Sequence, residues 1–268
     1  MVRLDIALTQ RGMVQSRPRA KRLIQAGQVL VNGTVCEKPA HNVSEADRLE
    51  LLQEDMPFVG RGGLKLDYAI THGHLQLDGK ICMDIGASTG GFTDCMLQHG
   101  AKKVYAVDVG HNQLSKCLQT DSRVVNLEGT DIRKLSLNTV KELISFLSID
   151  VSFISLQLIL PAAVPFLSDD GKMVVLIKPQ FEAGREWIGK HGLVRSQQVH
   201  RQVLVQVLEL FRQMHLTLCH LWHSPILGGS GNLEYLAVLD RSDKALQVPD
   251  VQQVVSQAFL QKKKEKQK

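Results

Sequence analysis

The sequence predicts an α/β protein: a doubly wound, largely parallel sheet preceded by a small α+β head. Three observations carry this. From about residue 81, short apolar runs alternate with helical stretches, the pattern of parallel strands joined by crossovers. The first of these runs leads directly into a glycine-rich turn. The N-terminal stretch breaks the pattern and reads as two short helices and a tight hairpin.

In the head, a helix is expected from Arg3 to Arg11, with Leu4, Ala7 and Leu8 on one face and Gly12 ending it. Ser16 is placed to cap a second helix, with Pro18 in its first turn and Gly27 as its stop. That helix offers Ala20, Leu23 and Ile24 on one side and Arg17, Arg19, Lys21 and Arg22 on the other. Val29-Leu30-Val31, Asn32-Gly33 and Thr34-Val35-Cys36 then spell a hairpin, because both turn residues tolerate positive φ. Residues 53–63 read as a connector, and Leu64 to His72 as a helix with Lys65 in its first turn.

In the body, Ile81 to Ile85 is a strand followed by Gly86-Ala87-Ser88-Thr89-Gly90-Gly91-Phe92 and a helix to Gln98. Glycines there let a ligand approach the backbone. Val104 to Val107 is a second strand ending at Asp108, about 20 positions beyond the turn, where a carboxylate can accept from ribose hydroxyls. Further strands are expected at Val124–Leu127, Ile144–Ile149 and Met173–Ile177. An antiparallel final strand around Leu233–Leu236 would bring Asp150, Lys178 and Glu234 to one sheet edge beside the glycine turn. Lys65 would reach that edge from its helix. Ligands bind such sheets at the carboxyl ends of the strands.

The bulk numbers fit this division. The 268 residues suffice for one small and one ordinary α/β domain, and 44% hydrophobic content supports a core. At 5% aromatic residues, broad base-stacking platforms are not expected. The cysteines (Cys36, Cys82, Cys95, Cys117, Cys219) are scattered and lack a C-x-x-C pair. That argues against a disulfide framework and a metal site, and for a reducing, cytoplasmic setting. No secretory signal is expected, since Arg3 and Asp5 interrupt the start. The apolar stretch Leu158–Leu167 holds Pro161 and Pro165 and is too short to span a membrane. Six basic residues (Arg3, Arg11, Arg17, Arg19, Lys21, Arg22) against Asp5 in the first 35 positions point to a polyanion bound at this end. A second basic run, within 260–268, reads as a solubilising tail.

The head's spacing RLDxxL…SRxxAxxLIxxGxVxVNG resembles the RNA-binding domain named after small-subunit ribosomal protein S-four. The segments VGRGGLKL, DIGASTGGFTD, VYAVDVG, DVSFISL, LIKPQFE and SPILGGSGNLEYL resemble the TlyA family, the S-four-domain branch of the FtsJ-like ribose 2′-O-methyltransferases. This resemblance covers nearly the whole chain. It implies a Rossmann-like methyltransferase sheet and S-adenosylmethionine as cofactor. It implies a Lys-Asp-Lys-Glu tetrad at Lys65, Asp150, Lys178 and Glu234. It also implies a cytidine 2′-hydroxyl of ribosomal RNA as the acceptor, commonly in the large subunit. The cofactor would meet Asp84, Gly86, Ser88, Gly90, Gly91, Phe92, Asp108 and Asp131. Gly60 and Asp131 depart from the family pattern, which often has serine and asparagine there. Some members carry the name haemolysin.

The expected domains are 1–58 for RNA binding, 59–245 for methyl transfer and 246–268 for a C-terminal helix and basic tail. The partner is ribosomal RNA or a ribosomal subunit, and the oligomeric state is not legible. A ribose hydroxyl is a poor nucleophile, so a base is needed, and a lysine serves only when its charged form is disfavoured. Lys178 is the expected contact to the hydroxyl. The rival readings are a non-catalytic RNA-binding or assembly factor, which a filled tetrad argues against, and a membrane-lytic protein, which the lack of a long apolar segment argues against.

Overall fold

The computed structural model describes residues 1–14, 16–52, 56–189, 192–242 and 250–265, so parts of the expected connector (53–55) and tail (266–268) lie outside the described residues. The chain divides into two compact units, Met1–Pro57 and Phe58–Lys268.

The first unit has helices at Leu4–Gln10 and Arg17–Gln25 and a three-stranded antiparallel sheet, with Val29–Val31 between Thr34–Val35 and Leu49–Leu51. Val2–Arg3 pairs with Asn42–Val43. Leu4, Leu8, Ala20, Ile24, Val29 and Val43 close the core. Asn32 and Gly33 take φ of 52° and 79°, the two left-handed residues that a tight hairpin turn requires. Ser16 stands at the start of the second helix but makes no side-chain capping bond.

The second unit contains strands β1 (Ile81–Ile85), β2 (Lys103–Asp108), β3 (Val124–Glu128), β4 (Ile144–Ile149), β5 (Leu167–Ile177), β6 (Thr217–His223) and β7 (Tyr235–Asp240). They form one sheet in the order β6-β7-β5-β4-β1-β2-β3. β1 to β5 pair in parallel, whereas β7 runs antiparallel to both neighbours. Helices α1 (Gly62–His72), α2 (Gly91–Gln98) and α3 (Lys116–Gln119) cover one face. Helices α4 (Leu156–Ala163), α6 (Gln197–Gln213) and α7 (Val251–Glu265) cover the other, while the short α5 (Pro179–Glu182) follows β5. Strand residues alternate between the two cores: Met83, Val107 and Ile149 face one, Cys82, Ala106 and Phe146 the other.

Three features differ from expectation. β5 begins at Leu167, and its register with β4 shifts between Leu167 and Lys172 before the predicted run takes over. The stretch between β3 and β4 holds only a 3-10 turn, Ile132–Lys134, where alternation predicts a helix. There Ser136 accepts from Asn138 N–H through its side chain (3.1 Å), the local bonding that competes with helix. And the expected C-terminal helix runs into the lysine stretch expected as a tail: α7 reaches Glu265, with Val254, Val255 and Ala258 buried in the main core. No helix among the described residues is long and apolar enough to cross a membrane.

Candidate active site

Two cavities open along the carboxyl ends of the strands. The first, about 480 Å3, lies over the β1 turn and the ends of β2 and β4, between Gly86, Ser88, Asp108, Asp131 and Asp150. The second, about 930 Å3, lies over β5 and the approach to β7, with Lys65, Lys178, Gln180, Arg185 and Glu234 in its wall. Ser152, Phe153 and Ile154 border both.

Backbone geometry makes the junction. Gly86 has φ of 88°, and a Cβ there would collide with the Asp150 carbonyl. Only glycine lets the β1 turn approach the end of β4 this closely. Asp150 N–H donates to Ile85 O at 2.9 Å, locking the two strand ends side by side. In the β5–β7 register, Ile177 faces Tyr235, so the residues just beyond, Lys178 and Glu234, emerge together. A Cβ at Gly228 would meet the Glu234 carboxylate, so the glycine loop makes room for that side chain.

The tetrad is brought together as two ion pairs. Lys65 Nζ lies 2.5 Å from Glu234 Oε2, and Lys178 Nζ lies 2.6 Å from Asp150 Oδ1. Lys178 Nζ also donates to Ser152 Oγ at 2.9 Å, and Gln180 Nε2 to Glu234 Oε1 at 3.4 Å. Phe181 sits 5.8 Å from Lys178 Nζ, and its ring centroid is 5.0 Å from that of Phe153. Phe153 is 91% exposed and holds a positive φ of 65°. An exposed aromatic ring in a strained conformation at a cavity mouth is the arrangement of a ligand contact. Ser152, Gln180, Phe153 and Phe181 lie within segments DVSFISL and LIKPQFE, but composition and spacing assign them no role. Only the fold turns them toward the lysines.

The residues expected to meet a cofactor separate into three groups. Gly86, Ser88, Asp108 and Asp131 line the first cavity. Asp108 is aimed by two backbone donors, Ser88 N–H to Oδ2 and Gly110 N–H to Oδ1, each at 2.7 Å. Asp131 is held by Arg133 at 2.6 Å, which lowers its pKa. Gly91 and Phe92, with Gly60 to Gly62, line a small recess of about 140 Å3 beside the turn. Asp84 and Gly90 line neither cavity. Asp84 is fully buried; Thr93 Oγ1 donates to it at 2.7 Å and Ser148 Oγ at 2.9 Å. Burial pushes its pKa up to about 7. It ties β1 to β4 and α2 from inside. Gly90 begins α2 with φ of 95°.

In the head, the six basic residues also divide. Arg3 and Arg17 each lie 3.0 Å from the fully buried Asp5, holding its pKa down to about 2. Arg11 donates to the carbonyls of Asp47 and Ser44 at 2.8 Å, fastening the head's own loop. Lys21 and Arg22 are exposed, and Arg19 half-buried, on the second helix.

Comparisons with known proteins agree with this layout. The FtsJ-like methyltransferase model matches residues 58–241, and the S4 domain model residues 2–49. The chain is 42% identical over 270 residues to YqxC of Bacillus subtilis, described as a candidate rRNA methyltransferase (98% of this chain, 96% of the relative). It is 37% identical over 265 residues to the 16S/23S rRNA (cytidine-2′-O)-methyltransferase TlyA of Mycobacterium tuberculosis (96% of this chain, 97% of the relative). A solved structure from Streptococcus thermophilus, described as a candidate hemolysin, superposes with a TM-score of 0.77 at 45% identity, covering 99% of this chain and 98% of that one.

Proposed function

The chain belongs to the FtsJ-like methyltransferase family, in its S4-headed TlyA branch, and from that premise we propose that it methylates a cytidine ribose 2′-hydroxyl of ribosomal RNA. S-adenosylmethionine is the donor, the RNA within a ribosomal subunit is the partner, and the cytoplasm is the place of action. The observation that carries this reading is the position of the Lys178–Asp150 pair on the wall between two cavities of different character.

The first cavity suits the donor. Asp108, already oriented by two N–H groups, keeps acceptor capacity for a ribose diol. Asp131 accepts from an exocyclic amino group such as that of adenine, so aspartate serves at a position where the family often has asparagine. The recess beside Gly60 to Gly62 takes the amino-acid end. When bound, S-adenosylmethionine supplies an electrophilic methyl carbon on a sulfonium. The wider cavity, rimmed by Arg185, Phe153 and Phe181, takes the nucleotide.

Methyl transfer forms an O–C bond, breaks a C–S bond and releases the hydroxyl proton. Lys178 faces the wide cavity; after giving up one ammonium proton to solvent, its neutral amine is the group placed to take the hydroxyl proton. Asp150 and Ser152 fix its position. Glu234, steadied by Gln180, holds Lys65 as the second wall of the ribose site. Most of the acceleration then comes from positioning. The test is direct: purified protein, ribosomal subunits and tritiated S-adenosylmethionine, with extraction of the RNA and digestion to nucleosides. Label in 2′-O-methylcytidine is expected. Label only in a methylated base, or none, rejects the assignment.

A further inference from the structure

Behind the wide cavity lies a buried polar chain that the tetrad does not use. His200, on α6, is 1% exposed, and Tyr235 is fully buried. His200 Nε2 lies 3.0 Å from the Val194 carbonyl, and Nδ1 lies 2.7 Å from the Tyr235 hydroxyl. A carbonyl can only accept, so Nε2 carries the hydrogen and the neutral ring's Nδ1 accepts from Tyr235. Burial lowers the imidazole pKa and keeps the ring neutral. The edge of Phe259, 5.1 Å away on α7, packs the ring in place.

Both ends of this chain lead to the site. Tyr235 directly follows Glu234, and in the sheet it pairs with Ile177, which directly precedes Lys178. Val194 directly follows the neck of a loop, where Gly189 N–H donates to Leu193 O at 3.0 Å and Gly192 N–H to Gly189 O at 3.1 Å. Arg185, Ile188 and Gly192 of that segment line the wide cavity. A histidine serving the core alone needs its nitrogens satisfied by any neighbours. This one joins the cavity loop to the strand end that carries Glu234.

We propose that His200 is a positioning residue that sets the Arg185–Ile188 and Gly192–Val194 stretches against the Lys178–Glu234 edge, and so governs how RNA is held rather than how the donor is bound. The proposal rests on the reading of the wide cavity as the RNA subsite. The two nitrogens can be tested separately. In His200→Gln the amide nitrogen nearly overlays Nε2 and keeps the bond to Val194. In His200→Asn the amide oxygen nearly overlays Nδ1 and keeps only the Tyr235 contact.

Steady-state methylation of ribosomal subunits should show KM for the subunit raised about tenfold in His200→Asn, with kcat within about threefold and calorimetric affinity for S-adenosylmethionine unchanged. His200→Gln, which loses only the Tyr235 contact, should raise KM by no more than about two- to threefold. Parental KM in a folded His200→Asn overturns the proposal. So does a loss of kcat and donor affinity alongside KM, the mark of general core damage. Should His200→Asn fail to fold, Tyr235→Phe carries the test, since it removes one hydroxyl and releases the ring. It should raise KM about two- to threefold and speed hydrogen exchange at the 192–195 amides without RNA present. Unchanged exchange and KM overturn the idea. An inactive parent protein would reject the proposed function, while the exchange measurement would still decide whether His200 pins the loop.

Discussion

In the head, Asp5 is wholly buried, yet its partners Arg3 and Arg17 keep 40% and 50% of their side chains in solvent. In the body, Lys65 and Glu234 pair with only 9% and 4% exposed, and Lys178 and Asp150 with 10% and 19%. Half-exposed arginines lose little solvation, remain able to turn toward a second anion, and are screened by salt. Nearly buried lysine–carboxylate pairs pay heavily in desolvation and add little net stability, so their retention argues for geometry and chemistry. Under the proposed function, the contrast gives the head adaptable affinity for a polyanion and the body exact placement of reacting groups.

The largest effect that can break this contrast is at Lys178. Lys178→Ala should lower single-turnover methyl transfer by on the order of 10²–10⁴-fold, the usual worth of a positioned acid–base group, with donor and RNA affinities within a few-fold of the parent. Lys178→Arg should fail too, because a guanidinium stays charged and cannot accept a proton. Substantial activity in the arginine variant would make Lys178 an electrostatic positioner. Loss of RNA affinity in both would blur the division between head and body.

Next comes removal of the head. A protein starting at Phe58 should lose RNA affinity by on the order of 10²-fold at low salt, and much of its salt dependence with it, while donor affinity holds. Filter binding over a salt series checks this. Unchanged RNA affinity would move recognition to the body. A smaller loss is expected at Asp108, whose carboxylate is pre-aimed by Ser88 and Gly110. Asp108→Ala should weaken binding of S-adenosylmethionine by about 1–3 kcal/mol in calorimetry and spare RNA binding. Equal donor affinity in mutant and parent refutes the ribose contact.

The gentlest probe is pH, because the two units carry buried aspartates shifted in opposite senses. The arginines lower the pKa of Asp5 from the usual 3.8 to about 2. Its contribution is therefore full above about pH 4 and is lost as pH falls toward 2. Burial raises the pKa of Asp84 from 3.8 to about 7. Its contribution is greatest below about pH 4 and declines as pH rises through 7. Thermal melts should thus show Asp5→Asn flattening the head's acid limb and Asp84→Asn flattening the body's dependence between pH 4 and 7. The same sign for both units would contradict the assignment of these two environments.

How much of this was legible in the sequence depended on range. The hairpin at Asn32-Gly33, the β1–turn–α2 unit and the arrival of Lys178 and Glu234 at one edge follow from local patterns that short-range sterics enforce. The six head cations were visible as charge, but nothing in their spacing says that Arg11 fastens backbone carbonyls 33 to 36 residues away. Asp84 entered the cofactor set through the family resemblance alone. Its isolation from both cavities depends on Thr93 and Ser148, which reach it from α2 and β4. The half-exposed edge strand β6 lacks a strong apolar run, and the link from His200 to Val194 and Tyr235 exists only once α6 has packed on the sheet. Tertiary partners of this kind leave no periodic trace in a single chain.

The central claim is that the Lys178–Asp150 wall presents a cytidine 2′-hydroxyl to a methyl donor. The most direct test is nucleoside mass spectrometry of ribosomal RNA incubated with S-adenosylmethionine and either the parent protein or its Lys178→Ala variant. The account predicts new 2′-O-methylcytidine with the parent and essentially none with the variant. A methyl group found on a base, or equal 2′-O-methylcytidine from both proteins, would contradict it.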